Sequence, residues 1–203
     1  MSKKIFLATT NKKKLGELED LLSDLKLQFF CLKDFPQYKE VPETGKTFAE
    51  NAELKATGYA KQTRLLTLAE DSGLCCDALE GAPGVYSARF AGLEKDDHAN
   101  NLKLLRLLEK VPDNCRGAHF VSAVALAGPG GLIGLAEGKV HGFIHKTISG
   151  TQGFGYDPVF FYPPFKKTFG EIAAELKHQV SHRAQAFVQV KAFLKNYLSR
   201  TSL

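Results

Sequence analysis

The chain has 203 residues, 44% of them hydrophobic and 24% charged, which gives enough apolar material for one compact domain or two lobes sharing a cleft. Its longest apolar runs, such as Val121 to Ala127, fall far short of the roughly 20 residues a membrane helix needs, so a spanning helix is excluded and a soluble protein with no membrane partner is expected. The formal charge of +5 would favour an anionic ligand, but a modest excess of lysine is also ordinary surface and decides nothing alone.

The basic start Met1-Ser2-Lys3-Lys4 precedes only four apolar residues, Ile5 to Ala8, too few for a signal-peptide core, and a cytoplasmic strand is expected over Lys4 to Ala8. Asn11 then caps a helix whose Leu15, Leu18, Leu21, Leu22 and Leu25 recur at helical spacing. Thr47-x-x-Glu50 is a capping box opening a second helix, with Phe48, Ala52, Ala56, Tyr59 and Ala60 as its apolar stripe. Leu65 to Ala69 reads as a strand ending on Glu70-Asp71-Ser72-Gly73, Gly81 to Gly84 as a loop, and Asp97 to Glu109 as a helix. Phe120 to Ala127 and Leu132 to Ala136 around Gly128-Pro129-Gly130-Gly131 suggest a hairpin, with further strand from Gly138 to Ile148. After the loop Gly150 to Pro158, Ser181 to Leu198 is an amphipathic helix. Helix and strand alternation around a hairpin-rich centre predicts a mixed α/β fold, a long twisted sheet with flanking helices forming two lobes around a central cleft.

Four cysteines, at 31, 75, 76 and 115, form no C-x-x-C pair and have no histidines at zinc-finger spacing, so buried reduced thiols are expected.

Four constellations carry chemistry. Thr9-Thr10-Asn11-Lys12-Lys13-Lys14 lies where a strand hands over to a helix, so free N–H groups and the positive dipole end face whatever binds. Lysines in a first turn oppose the macrodipole unless an anion lies nearby, which points to phosphate, although a solvated helix start fits as well. Glu43 and the pair Glu70-Asp71 before Ser72 supply hard oxygens of the kind Mg²⁺ takes, usually one or two carboxylates plus substrate phosphates. A carboxylate there can also accept a proton from an attacking water, although turns are rich in Asp and Ser for conformational reasons too. Gly153-Phe154-Gly155-Tyr156-Asp157-Pro158 combines glycines that allow close approach with two flat rings on which a base could stack. Lys177, then Ser181-His182-Arg183 at a helix start, adds donors for a purine O6 or a phosphate oxygen.

In order and wording these segments resemble the inosine triphosphate pyrophosphatase family, in its bacterial RdgB-like branch. The likeness runs through Ala8-Thr9-Thr10-Asn11 with Lys14, Glu43-Thr44-Gly45-x-Thr47-Phe48-x-Glu50-Asn51-Ala52, Asp71-Ser72-Gly73-Leu74, Gly81 to Arg89, Gly153 to Pro158 and Ser181-His182-Arg183. It implies a cytoplasmic, homodimeric, magnesium-dependent enzyme that cleaves ITP, dITP and XTP to the monophosphate and pyrophosphate. Carried over, the segment from Thr9 to Lys14 holds phosphates, with Thr9, Asn11 and Lys14 at the motif's own positions, Asp71 is general base and metal ligand, and Glu43 is the second metal carboxylate. Ser72 contacts substrate, Phe154, Gly155, Tyr156 and Asp157 form the base loop, Lys177 is a substrate contact, and His182 and Arg183 read the purine edge. The family often has Asp where this chain has Glu70, so Glu70 could share the metal, and often Asn where it has His178, a residue expected in a loop.

A pyrophosphatase for modified pyrimidine nucleotides would use a similar phosphate loop and metal, but His182-Arg183 and Phe154 favour a purine. A single-strand nucleic-acid-binding protein would interleave its aromatics with Lys or Arg, whereas Gly153 to Pro158 carries neither, so no nucleic-acid partner is expected.

Overall fold

In the computed structural model of the chain, which describes residues 3–200, strand β1 (Lys3–Leu7) is followed by helix α1 (Lys12–Leu21). The residues Met1 and Ser2 of the basic start lie outside the described residues. Asn11 caps α1 as expected, its side chain accepting from the backbone N–H groups of Lys13 and Lys14. Strand β2 (Leu27–Cys31) returns alongside β1 in parallel register, from Lys3 against Leu27 to Leu7 against Cys31. Helix α2 (Phe48–Thr63) starts at the capping box, with Thr47 and Glu50 each satisfying the other's backbone N–H.

Strand β3 (Leu66–Cys76) pairs in parallel with β1, and helix α3 (Asp97–Leu107) is capped by Asp96. Strands β4 (Gly117–Gly128) and β5 (Gly131–Ile144) are joined by Pro129-Gly130, as the hairpin pattern predicts. From Phe120 to Gly128 every residue of β4 is buried, as in a strand covered on both faces. Strand β5 alternates exposed and buried from Leu135 to Ile144, with one face covered. Strands β6 (Phe160–Tyr162) and β7 (Lys167–Thr168) add antiparallel pairs, and helices α4 (Ala174–Val180) and α5 (His182–Arg200) close the chain. The seven strands form one mixed sheet in the order β2-β1-β3-β4-β5-β6-β7, a mixed α/β fold. No helix among the described residues is long and apolar enough to cross a membrane.

The chain groups into two compact units. The first comprises 1–71, 122–138 and 183–203, and its core joins Ile5 and Leu7 of β1, Leu18 of α1, Leu66 and Leu68 of β3, Val124 and Leu126 of β4, and Phe187, Val190 and Leu194 of α5. The second comprises 72–121 and 139–182, with Leu74, Leu104, Phe120, Val140, Ile144, Tyr156, Phe160 and Phe169 in its core.

Several expectations are corrected. Strand β3 does not stop at Ala69 but runs to Cys76, so Glu70-Asp71-Ser72-Gly73 is extended strand rather than a terminal turn. Polar partners waiting on both faces of the strand make that possible. The segments read as two strands after Pro129-Gly130 are the single strand β5, ending at Ile144 rather than Ile148. His178 lies in α4 rather than a loop, within a run of good helix formers, Ala174-Glu175-Leu176-Lys177. All four thiols are free of disulfides, but only Cys76 is buried; Cys31 and Cys75 are half-buried and Cys115 is exposed. Burial pushes the Cys76 thiol up to about 12, so it stays protonated at neutral pH.

Phe187 is almost wholly enclosed among the β-strand side chains of the first unit. Truncation to alanine, Phe187→Ala, is expected to cost about 3–5 kcal/mol of stability, read as a lowered urea midpoint by circular dichroism.

Candidate functional site

Adjacent residues on a strand point to opposite faces, and β3 uses this to separate its two acids. Glu70 continues the row of Leu66 and Leu68, towards α1 and α5, and is 4% exposed. Its Oε1 accepts from Ser122 Oγ at 2.8 Å and lies 2.8 Å from Arg183 Nε, while its Oε2 lies 3.3 Å from Lys14 Nζ. Arg183, the first turn of α5, also donates from Nη1 to Glu17 of α1 at 2.9 Å.

Asp71, 8% exposed, follows Thr67 and Ala69 on the other face and meets α2. Asn51 donates from Nδ2 to Asp71 Oδ2 at 3.0 Å. Lys55, one helical turn on, is itself buried; its ammonium lies 2.8 Å from Glu43 Oε1, 2.9 Å from the Glu70 carbonyl oxygen and 3.8 Å from Asp71 Oδ1. Burial holds the Asp71 carboxyl above the usual range, with the neighbouring Glu43 adding to it and Lys55, Lys14 and the Asn51 hydrogen bond opposing it. Burial likewise pulls Lys14 below the ordinary lysine value, against the raising effect of Glu70.

Glu43 and Asp71 therefore converge on one cation, the Lys55 ammonium. Among the described residues no group of three or more His, Cys, Asp or Glu is arranged to hold a metal ion. Two carboxylates of hard oxygen with a shared cation between them nevertheless fit a magnesium ion that takes its remaining ligands from substrate phosphates and water. Glu70 faces away from that pair.

At the start of α1, the N–H groups of Lys13 and Lys14 are taken up by the Asn11 cap and Asn11 N–H by Thr9 Oγ1, so this turn presents fewer uncommitted donors than its sequence suggests. Thr10, Lys12 and Lys13 are exposed and Thr9 and Lys14 half-buried.

In the second unit, the loop from Gly153 to Pro158 is tied down from within and from α3. Asp157 Oδ2 accepts from Phe154 N–H at 2.8 Å and from Lys177 Nζ at 2.6 Å, and the same ammonium lies 4.8 Å from the centre of the Phe154 ring. Gly153 has φ of +73°, and a side chain there would run into Asp157, so glycine is required twice over. Asp97 accepts from Gly155 N–H and Asn101 donates to Gly155 C=O, so two residues a helical turn apart on α3 grip one loop residue. Tyr156 donates its buried hydroxyl to the Ser87 carbonyl, and burial raises the phenol's pKa. His182 is buried and stacks on Phe120, ring centres 4.8 Å apart; Ser72, next to Asp71 on β3, is half-buried.

The structure thus gathers Lys14, Glu43, Asp71 and Arg183 in the first unit and Phe154, Gly155, Tyr156, Asp157 and Lys177 in the second. Lys55, Ser122, Asp97 and Asn101 belong to none of the motifs, and Asn51, within the Glu43 to Ala52 segment, has no role assigned by it. Asn51 and Lys55 had a visible signal: they occupy the same i, i+3, i+4 positions as the buried Phe48, Ala52, Ala56 and Tyr59, and polar residues on a core stripe need partners.

The chain matches the sequence model of the Ham1 family over residues 5–193. It is 50% identical over 191 residues to a dITP/XTP pyrophosphatase of Desulforamulus reducens, covering 94% of this chain and 95% of the relative. It is 46% identical over 199 residues to a dITP/XTP pyrophosphatase of Listeria monocytogenes, covering 98% of both. Among solved structures, the Ham1 protein of Staphylococcus aureus superposes with a TM-score of 0.86 at 38% identity, over 96% of this chain and 100% of that one. A HAM1 protein from Coxiella burnetii gives 0.87 at 39%, over 96% and 99%.

Because the folded state holds Asp71 above its unfolded value of 3.8, the protein binds that proton more tightly when folded, and stability falls as pH rises through the folded pKa. Asp71→Asn is therefore expected to raise the urea midpoint at neutral pH, with an advantage that shrinks as pH falls towards 3.8. A midpoint below wild type at pH 7 would show that the charge stabilises the fold.

Proposed function

The chain belongs to the Ham1 family, and from that membership and the Asp71 cluster we propose that it is a nucleoside-triphosphate pyrophosphohydrolase that converts ITP, dITP and XTP to the monophosphate and pyrophosphate, cleansing the nucleotide pool. The observation that carries the reading is a buried carboxylate with a raised pKa set among cations, beside a second carboxylate, in a chain nearly half identical to dITP/XTP pyrophosphatases over almost its full length. Such a carboxylate is a better proton acceptor than an ordinary surface aspartate.

Asp71 orients a water and takes its proton as the oxygen bonds to the α-phosphorus. The bond from that phosphorus to the bridging oxygen breaks, and its electron pair leaves with pyrophosphate. Lys14 and Lys55 place positive charge where the phosphoryl oxygens and the leaving group gain negative charge. Glu43 and Asp71 would hold magnesium, which when bound with the phosphates neutralises part of their charge. Glu70, turned to the other face and paired with Lys14, Arg183 and Ser122, fixes those cations rather than sharing the metal. The first turn of α1, from Thr9 to Lys14, serves the phosphates through its side chains more than through its capped N–H groups, and Ser72 contacts substrate beside Asp71.

The purine goes to the second unit. Phe154 offers a ring face, held in place by Asp157, Lys177 and the α3 grip on Gly155. His182 supplies a donor to the six-position oxygen of hypoxanthine or xanthine. Adenine carries an amino group there, and a donor left buried without an acceptor costs about 1 to 3 kcal/mol. Arg183, bonded to Glu17 and paired with Glu70, is a further donor for the substrate. The enzyme works as a cytoplasmic homodimer, a state that light scattering at working concentration checks.

Pyrophosphate release from ITP, XTP, ATP and GTP at equal concentration, with magnesium and with EDTA, tests the reading. Metal-dependent release from ITP and XTP is expected, with ATP and GTP slow; equal release from all four, or none, would overturn it. Asp71→Asn is expected to abolish turnover while the native circular dichroism spectrum without urea stays unchanged, and retained activity in that variant removes Asp71 as the base.

A further inference from the structure

We infer that Asn51 is the positioning residue for Asp71, locking the orientation of that carboxylate to the loop that carries Glu43. The inference rests on the proposed role of Asp71 as the base, and the geometry that carries it is a chain of two hydrogen bonds through one buried amide. The backbone N–H of Gly45, two residues after Glu43, donates to Asn51 Oδ1 at 2.8 Å. A backbone N–H can only donate, so this bond fixes which end of the amide is oxygen. The other end, Nδ2, must then face Asp71, and it donates to Oδ2 at 3.0 Å. At 3% exposure Asn51 has no solvent in which to turn.

The local structure leaves little slack. The next two N–H groups of the same loop, on Lys46 and Thr47, donate to Glu50 Oε2 at 2.6 and 3.3 Å, so the loop is stapled to the first turn of α2 by consecutive residues. Gly45 lies so close that a β-carbon on it would come within 2.8 Å of Asn51 Oδ1 and 2.9 Å of Asn51 N. One turn further along α2, Lys55 reaches both Glu43 and Asp71. A helix face with Asn51 and Lys55 at i and i+4 thus spans both carboxylates: the ammonium balances their charge, and the amide sets the rotation of one of them. Lys55 can follow a carboxylate that turns, being a flexible point charge, whereas the amide cannot.

The test uses wild type, Asn51→Asp, Asn51→Ser, Gly45→Ala and the double variant Gly45→Ala/Asn51→Ser, each assayed for pyrophosphate release from dITP with magnesium. Asn51→Asp keeps the size and the acceptor for Gly45 but replaces the donor to Asp71 by an oxygen. It is expected to lower kcat by about 10- to 100-fold with KM within about threefold of wild type, and to lower the unfolding midpoint at neutral pH, because a second buried acid then faces Asp71. Asn51→Ser, too short to span both partners, is expected to lower kcat in the same range. Gly45→Ala, whose β-carbon meets Glu50 Cβ, Asn51 Oδ1 and Asn51 N, displaces the amide together with the first turn of α2; it is expected to reproduce the kcat defect, and the double variant to be no worse than Asn51→Ser alone. A kcat for Asn51→Asp within twofold of wild type, a defect carried by KM, or additive losses in the double variant would overturn the inference. Wild type that releases no pyrophosphate from dITP would instead overturn the reading of the function, so the two failures are distinct.

Discussion

The first unit is organised around an energetically awkward fact, two adjacent carboxylates in the middle of a buried strand. An ionised acid taken out of water is costly unless it is paired and hydrogen-bonded, and two neighbours would ordinarily repel. The alternation of β3 resolves this by sending them to opposite faces, where each meets its own set of donors. Glu70 meets Ser122 of β4, Lys14 of α1 and Arg183 of α5. Asp71 meets Asn51 and Lys55 of α2. Every helix of this unit therefore contributes at least one polar side chain to the pair, and the capping of α1 and α2 matters because it sets the rotation at which those side chains arrive.

The two faces are not equivalent. Glu70 meets two cations and a hydroxyl, an arrangement that fixes the carboxylate in place. Asp71 accepts a hydrogen bond from a neutral amide and has a longer contact with an ammonium that Glu43 and a backbone carbonyl also claim. Burial wins at Asp71 and raises its pKa, which suits the proton acceptor proposed for it. Nothing in Glu70-Asp71 as a dipeptide says which way each acid points; the strand sets that.

Much of the fold was legible. The Asn11 cap, the Thr47-Glu50 capping box and the Pro129-Gly130 hairpin are local devices whose geometry depends on a few neighbouring residues, and each lies where its pattern puts it. The end of β3 was not legible, since Asp, Ser and Gly are turn formers by local preference and only distant partners, 15 to 50 or more residues away in the chain, override it. The short strands β6 and β7 and helix α4 are likewise set by packing around Phe160 and Phe169 rather than by periodicity. The site residues of the recognised motifs could be named, but those that hold them, Lys55, Ser122, Asp97 and Asn101, belong to no short motif. They become visible only as polar residues on otherwise apolar faces.

The Gly153 to Pro158 loop, proposed to take the base, shows the same division between contact and support. Its two aromatics suggest stacking, yet one of them is already committed: the Tyr156 hydroxyl is bonded to Ser87 and its ring is packed in the core of the second unit. Phe154 is half-buried, with the Lys177 ammonium beside its ring, and Asp157 holds both the backbone N–H of Phe154 and that ammonium through one oxygen. A cation beside an aromatic ring draws on the electron density of its face. Asp157 pairs with that ammonium, so the position of the Phe154 ring is fixed by charged bonds. For the base stacking proposed at Phe154 such tight support matters, because a loop that could move would let the pocket adapt to the wrong base.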